Sequence, residues 1–214
     1  MFNQVTIIGC GLIGSSIFKG LKKVGSIKKI ITYDKDKTVT EIIKKDRLSD
    51  EIFDSIGEAV KNSDLVIIAT PISSFESVLN SIKENLKTGS ILTDTCSVKT
   101  GVGKILEKIN LKNSICIPGH PVAGIENSGP KAGTSELFKN RWTILTPKKN
   151  IDEKAIKEVS NFWESIGSKV KIMSDIDHDK ILSFTSHLPH AIAYNIVQTS
   201  MSNNEKIKQD IIRY

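Results

Sequence analysis

The sequence predicts an α/β protein: a doubly wound parallel sheet covered by helices on both faces, followed by the start of an all-helical domain. Three observations carry this expectation. Short β-branched runs alternate with helix-length segments through residue 173, the pattern that crossover helices impose on parallel strands. A G-x-G-x-x-G turn follows the first of these runs. Beyond residue 174 the strand signals stop and helical spacing takes over. The expected domains are therefore 1–173, a dinucleotide-binding Rossmann-type domain, and 174–214, a helical domain that the chain leaves incomplete.

Each element can be justified in turn. "QVTIIG" (4–9), "KIITYD" (29–34), "DLVIIATP" (64–71), "SILTDT" (90–95), "SICIPG" (114–119) and "RWTILTP" (141–147) are the expected strands. Their nearly unbroken apolar character suits strands buried on both sides. "NIDEKAIKEVSNFWESIG" (150–167) reads as an amphipathic helix with Ile156, Val159, Phe162, Trp163 and Ile166 on one side and Gly167 as its stop. "KVKIM" is expected as the strand that closes the domain. From Ser174 a helix of about 25 residues is expected, longer than most globular helices, with Ile181, Phe184, Leu188, Ile192 and Ile196 at helical spacing. Pro189 inside it removes a backbone hydrogen bond and frees the carbonyl near Thr185, which predicts a kink. The chain stops at "KIKQDIIRY", in what reads as a further helix.

Composition narrows the function. The 214 residues are 39% hydrophobic and 25% charged, a globular balance rather than a disordered one. Apolar runs such as "LVIIA" are too short to span a bilayer and the first residues lack a signal-peptide pattern, so a cytoplasmic chain without a membrane partner is expected. The net charge of +6 is spread over scattered lysines without interleaved aromatics, which argues for a solvated surface and against nucleic acid. Cys10, Cys96 and Cys116 form no CxxC pair and are expected as reduced thiols.

The glycine turn is the first functional signal. Gly9, Gly11 and Gly14 follow a strand and open a helix, and Asp34 closes the second strand twenty residues beyond Gly14. Gly9 permits the turn, Gly11 lets a pyrophosphate approach the backbone, and Gly14 lets the helix pack on the strand. Leu12 and Ile13 start that helix, whose free N–H groups favour an anion. Asp34 suits a ribose 2′-hydroxyl and therefore NAD; Lys35 and Lys37 beside it keep NADP open. Thr70 and Pro71 begin the loop after the third strand and join the expected cofactor contacts.

Ligands in open parallel sheets bind beyond the carboxyl ends of the strands. That rule brings Ser97 and Lys99 of "DTCSVK" and His120 of "GHPVAG" to one crevice with the nicotinamide end of the cofactor. Taken alone, the first segment also reads as a helix cap and the histidine as one bonded to backbone. Gly119 and Pro121 favour the chemical reading, because proline restricts the residue before it and glycine permits close approach to a ligand. An imidazole aimed in this way takes the proton of an alcohol as hydride leaves its carbon. The loop "AGIENSGPKAGTSELFKN" has the length of a substrate lid, with apolar anchors only at Leu137 and Phe138. His187 and His190 are three residues apart rather than four, with no Cys or Glu to join them, so no metal is expected. Substrate contact is expected of His190 and a buried hydrogen bond of His187.

Together, "VTIIGCGLIGSSI", "DTCSVK", "GHPVAGIENSG" with "RWTILTP", and "HDKILSFTSHLPHAIA" resemble the prephenate dehydrogenase family, which includes arogenate and cyclohexadienyl dehydrogenases. The resemblance implies NAD-dependent oxidative decarboxylation of prephenate to 4-hydroxyphenylpyruvate in tyrosine biosynthesis, with arogenate as the alternative substrate. It implies that His120 bonds the substrate 4-hydroxyl, that Ser97 lies beside that hydroxyl and the nicotinamide, and that His190 and His178 serve as substrate-binding residues. It also implies a homodimer through residues 174–214. The family continues with an arginine that grips a substrate carboxylate, and Arg213 is not that arginine by position. The chain is thus expected to be truncated relative to the family, binding cofactor but turning over poorly unless a partner completes the site. A non-catalytic dinucleotide-binding relative is the competing reading; a β-hydroxyacid dehydrogenase is a weaker one, because Lys180 lies too near the helix start.

Overall fold

The computed structural model describes residues 2–112 and 114–201. Strand β1 (Gln4–Ile8) leads through α1 (Leu12–Val24) to β2 (Lys29–Tyr33). Helices α2 (Lys37–Lys45) and α3 (Ile56–Val60) precede β3 (Leu65–Ile68); α4 (Ile72–Ile82) leads to β4 (Ile91–Asp94), and α5 (Lys99–Lys108) to β5 (Ile115–Cys116). These five strands form one parallel sheet in the order β2-β1-β3-β4-β5.

The period of two in a strand explains the two apolar layers. Val5, Ile7, Leu65 and Ile67 face one side and pack with Ile17, Phe18 and Leu21 of α1. Ile8, Val66, Ile68 and Leu92 face the other and pack with Phe75, Leu79 and Ile82 of α4 and Val102 of α5. Helix α6 (Glu153–Ser165) covers the first side; its Trp163 is fully buried, edge-on to Phe138 and Phe162 at 5.5 and 5.4 Å. Asp152 caps its start through the Lys154 N–H, and Gly167 at φ +96° ends it.

One expectation about the sheet is corrected. "RWTILTP" and "KVKIM" do not extend the parallel sheet. They form β7 (Trp142–Leu145) and β8 (Lys169–Ile172) of a second sheet, whose other edge is β6 (Gly119–Pro121), the G-H-P segment itself. Strand β6 runs antiparallel to β7, pairing His120 with Ile144, and β7 runs parallel to β8. The physical reason is local. Pro118 follows a β5 of only two residues, and Gly119 presses so close to β4 that a Cβ there would lie 3.1 Å from the Asp94 carbonyl oxygen. The chain turns out of the first sheet and starts the second.

The long helix is also divided. Helix α7 (Asp175–Leu182), capped by Ser174, passes into a π-helical turn (Ser183–His187) and then α8 (Leu188–Met201). Pro189 is the second residue of α8, so the expected kink takes the form of a widened turn just before it, where the missing N–H is accommodated. Helix α8 buries none of its residues in the single chain; Phe184, Leu188, Ile192 and Ile196 are 50–67% exposed. The expected helix of "KIKQDIIRY" and Arg213 lie outside the described residues. Among the described residues no helix is long and apolar enough to cross a membrane.

Candidate active site

The carboxyl ends of the parallel strands frame a cleft of about 390 Å³ walled by Gly9, Gly11, Asp34, Thr70 and Pro71. Gly9 sits at φ +92°, and a Cβ there would lie 2.6 Å from the Ala69 carbonyl oxygen. A Cβ on Gly14 would come within 2.0 Å of the Gly9 carbonyl oxygen, so α1 can descend on β1 only through glycine. Gly11 differs: a Cβ on it meets nothing within 4 Å. The Asp34 carboxylate accepts the Cys10 N–H at 2.8 Å and the Asp36 N–H at 3.0 Å, which fixes it at the cleft wall. Thr70 Oγ1 is buried without a hydrogen-bond partner among the described residues. Open space over Gly11, an orphaned hydroxyl and a fixed carboxylate together fit a dinucleotide. Leu12 and Ile13, expected among the cofactor contacts, do not wall this cleft. Their side chains pack half-buried on the core, which leaves only main-chain groups of the first helical turn to face an anion.

The "DTCSVK" segment does more than cap a helix. Lys99, expected in the crevice, is fully buried and pairs with fully buried Asp94 at 2.5 Å. Its Nζ also donates to the Gly119 carbonyl at 2.6 Å, while Asp94 Oδ2 accepts the Gly119 N–H at 3.3 Å. Both polar groups of Gly119 are thereby held to the end of β4. A buried charge is tolerable when paired and hydrogen-bonded, and here the pair clamps the residue that precedes His120. Ser97, by contrast, is exposed at the loop after β4.

His120 is 9% exposed, and its Nδ1 lies 2.9 Å from Nε2 of His178, which is fully buried. His178 Nδ1 lies 2.7 Å from Asp179 Oδ1. The same carboxylate accepts the Lys99 and Thr100 N–H groups at 2.8 and 2.9 Å and the Thr100 hydroxyl at 2.5 Å. It therefore caps α5, which no neighbouring side chain caps. Burial alone would raise the Asp179 carboxyl, but these hydrogen bonds outweigh it and hold its pKa at about 2. Burial, then repulsion from the His178 ring and the Lys99 ammonium, push His120 down to about 3. Burial also lowers His178, against the opposing pull of Asp179. Both rings are neutral at pH 7, and their tautomers follow. Asp179 can only accept, so His178 carries its proton on Nδ1 and presents a bare Nε2. His120 must then donate from Nδ1, which leaves its own Nε2 as an unprotonated acceptor.

His120 borders a second cleft of about 640 Å³ with Ser97, His187, His190, Glu126 and Arg141. The expected single pocket is thus two neighbouring ones. They approach each other where Cys96, beside Ser97, has its sulfur 3.9 Å from the Thr70 carbonyl oxygen. His178, expected at the substrate, stands behind His120 instead, because the helix phase that brings it to Asp179 turns it inward. His187, expected as a buried partner, is half-exposed and walls the cleft beside His190. The expected lid is free only up to Gly129. Beyond it Pro130 is buried, Thr134 N–H donates to Ser16 Oγ at 3.0 Å, and Lys19 Nζ donates to the Gly133 carbonyl at 2.7 Å. The sequence did not single out Glu126 and Arg141 of this wall or Asp179 behind His178; the Asp94–Lys99 spacing was the one available signal for the clamp.

A glycine-turned parallel sheet with a fixed neutral imidazole beside its carboxyl edge defines a dehydrogenase of the dinucleotide-binding class. Residues 17–172 match the model for "Prephenate dehydrogenase, nucleotide-binding domain" and 174–214 that for "Prephenate dehydrogenase, dimerization domain". The chain belongs to the prephenate dehydrogenase family. It is 39% identical over 214 residues to the cyclohexadienyl dehydrogenase of Zymomonas mobilis, covering all of this chain and 73% of that protein. It is 33% identical to the prephenate dehydrogenase of Bacillus subtilis, covering 95% of this chain and 56% of that one. The Aquifex aeolicus prephenate dehydrogenase, solved with hydroxyphenyl propionate and NAD+, superposes with a TM-score of 0.85 at 30% identity, covering 100% of this chain and 74% of that chain.

Proposed function

We propose that this protein oxidatively decarboxylates prephenate to 4-hydroxyphenylpyruvate with NAD+. The observation that carries the reading is the line Asp179–His178–His120, which leaves an acceptor nitrogen on a residue that borders a solvent-open cleft. NAD+ bound along the glycine turn supplies the hydride acceptor. As hydride leaves C4 of the substrate, the 4-hydroxyl proton moves to His120 Nε2. The bond to the ring carboxylate then breaks, CO2 departs, its electrons make the ring aromatic, and the phenolate oxygen takes the proton back. No net proton is released, and aromatisation makes the step irreversible. A depressed basicity suits this shuttle, because the negative charge of the bound substrate raises it only while substrate is present. Ser97 steadies the hydroxyl and His190 contacts the substrate from the helical side. The exposed apolar side chains of α8, in the segment that matches the dimerisation model, support a homodimer.

The test is NADH formation measured at 340 nm with prephenate or arogenate, each with NAD+ or NADP+. Prephenate with NAD+ is expected to be the faster pair, and His120→Asn to lower kcat by about 10²–10⁴-fold. Absence of NADH with both substrates, or equal rates in the variant, would refute the reading.

A further inference from the structure

We propose that Pro189 is a positioning residue: it holds open the π-helical turn Ser183–His187, and that turn sets the rotational phase at which His190 meets the substrate cleft. This rests on the function proposed above and deepens it. The turn has a backbone cause. Leu188 N–H donates to the Ser183 carbonyl, five residues back instead of four. A regular α-helical continuation would call on residue 189 to donate to the Thr185 carbonyl. Proline has no N–H to give, and its ring collides with that carbonyl unless the turn widens. Side chains add to the distortion. The Ser183 hydroxyl donates to the Lys180 carbonyl at 2.7 Å and the Thr185 hydroxyl to the Ile181 carbonyl at 2.9 Å, back-bonds of the kind that bend helices.

A π turn takes up one residue more than an α turn, so everything beyond it is set back by one position, about 100° of rotation. Twelve residues separate His178 from His190. In an unbroken α-helix their side chains would point about 120° apart around the axis. With one residue absorbed, His190 stands where the eleventh residue would, about 20° from His178. His178 and Leu182 are the buried residues of α7, so His190 is carried to the side of the helix that faces the sheets. His187 moves likewise, from about 180° to about 80° away from His178. Ser186, His187 and His190 accordingly wall the 640 Å³ cleft together with His120.

Helix α7 has no freedom to make the same correction by rotating as a whole. His178 Nε2 is held 2.9 Å from His120 Nδ1, and Asp179 accepts the Lys99 and Thr100 N–H groups at the start of α5. The phase before the turn is therefore fixed by the proton relay. One helical run thus serves His120 from behind through His178 and reaches the cleft in front through His190, and the extra residue of the π turn reconciles the two.

The test is a set of variants of the full chain, assayed by initial-rate NADH formation with prephenate. Pro189→Ala supplies the missing N–H and lets the turn close to α geometry. It is expected to raise KM for prephenate about tenfold or more with a smaller change in kcat, while NAD+ affinity is kept and Tm does not fall. Deleting Thr185 in the Pro189→Ala chain removes the extra residue and restores the phase, so KM is expected to return to within about threefold of wild type, a rescue that a merely structural role would not give. In a His190→Ala background, Pro189→Ala is expected to cost nothing further. An unchanged KM in Pro189→Ala, a folded deletion variant without rescue, or additive losses with His190→Ala overturns the proposal; if the deletion variant does not fold, the His190 cycle decides. A crystal structure of Pro189→Ala reads the phase without turnover. A closed α turn with His190 swung out of the cleft upholds the positioning role even if prephenate is not turned over, which would sink the function alone, and a retained π turn sinks the positioning role whatever the kinetics.

Discussion

Asp179→Asn tests the relay most sharply. The carboxylate accepts from four donors, Lys99 N–H, Thr100 N–H, the Thr100 hydroxyl and His178 Nδ1, at 2.5–2.9 Å. An asparagine offers one accepting oxygen and one NH2 group. If the oxygen keeps the two Thr100 donors, the NH2 group faces Lys99 N–H and His178. His178 must then turn its bare nitrogen toward the amide and carry its proton on Nε2. His120 becomes the acceptor in that pair, and its Nε2 is protonated when an alcohol proton arrives. A base in the wrong tautomer loses the contribution of general base catalysis, about 10²–10⁴-fold in kcat. The lost helix cap costs about 1–2 kcal/mol besides. The assay is initial-rate NADH formation together with urea unfolding and NAD+ titration. A variant that stays folded, binds NAD+ normally and keeps kcat within about threefold would refute the tautomer argument.

Three further outcomes are expected. Gly11→Ala meets open space, so it should leave urea stability within about 1 kcal/mol while weakening NAD+ on the order of tenfold or more; Gly14→Ala, only 2.0 Å from a carbonyl oxygen, should fail to fold. Lys99→Met strands the buried Asp94 carboxylate and releases Gly119, for a loss of about 3–5 kcal/mol in chemical denaturation, part of which Asp94→Asn in the same chain should restore. Stability should also fall as the pH drops from about 6.5, because His120, held at about 3 when folded, takes up a proton only on unfolding. Asp179, at about 2, contributes its own loss only below about pH 4, so thermal unfolding between pH 6.5 and 4.5 reads His120 together with His178, which burial also lowers, and His120→Asn should reduce the slope.

Much of the fold was legible because its signals are short in range. The glycine spacing, the apolar runs at 4–9, 29–34, 64–71 and 90–95, and Gly167 as a helix stop each depend on neighbours within a few residues. The second sheet was not legible, since nothing in "RWTILTP" states which edge it will join. His120 could be singled out from its flanking glycine and proline. Its partners could not, because His178 lies 58 residues away and the phase of α7 decides which of its residues turn inward.

By itself, then, the sequence determined a glycine-turned parallel sheet, a helical continuation after 174 and an aimed imidazole, because period, turn chemistry and proline restriction act along the chain. The tertiary structure alone decided that Asp179 caps α5 from 80 residues away while orienting His178, that Lys99 turns inside to clamp Gly119, and that Arg141 is left unpaired at the cleft. Those outcomes depend on how elements distant in sequence are packed together, and a buried charge or a ring tautomer takes its meaning only from the groups that packing places beside it.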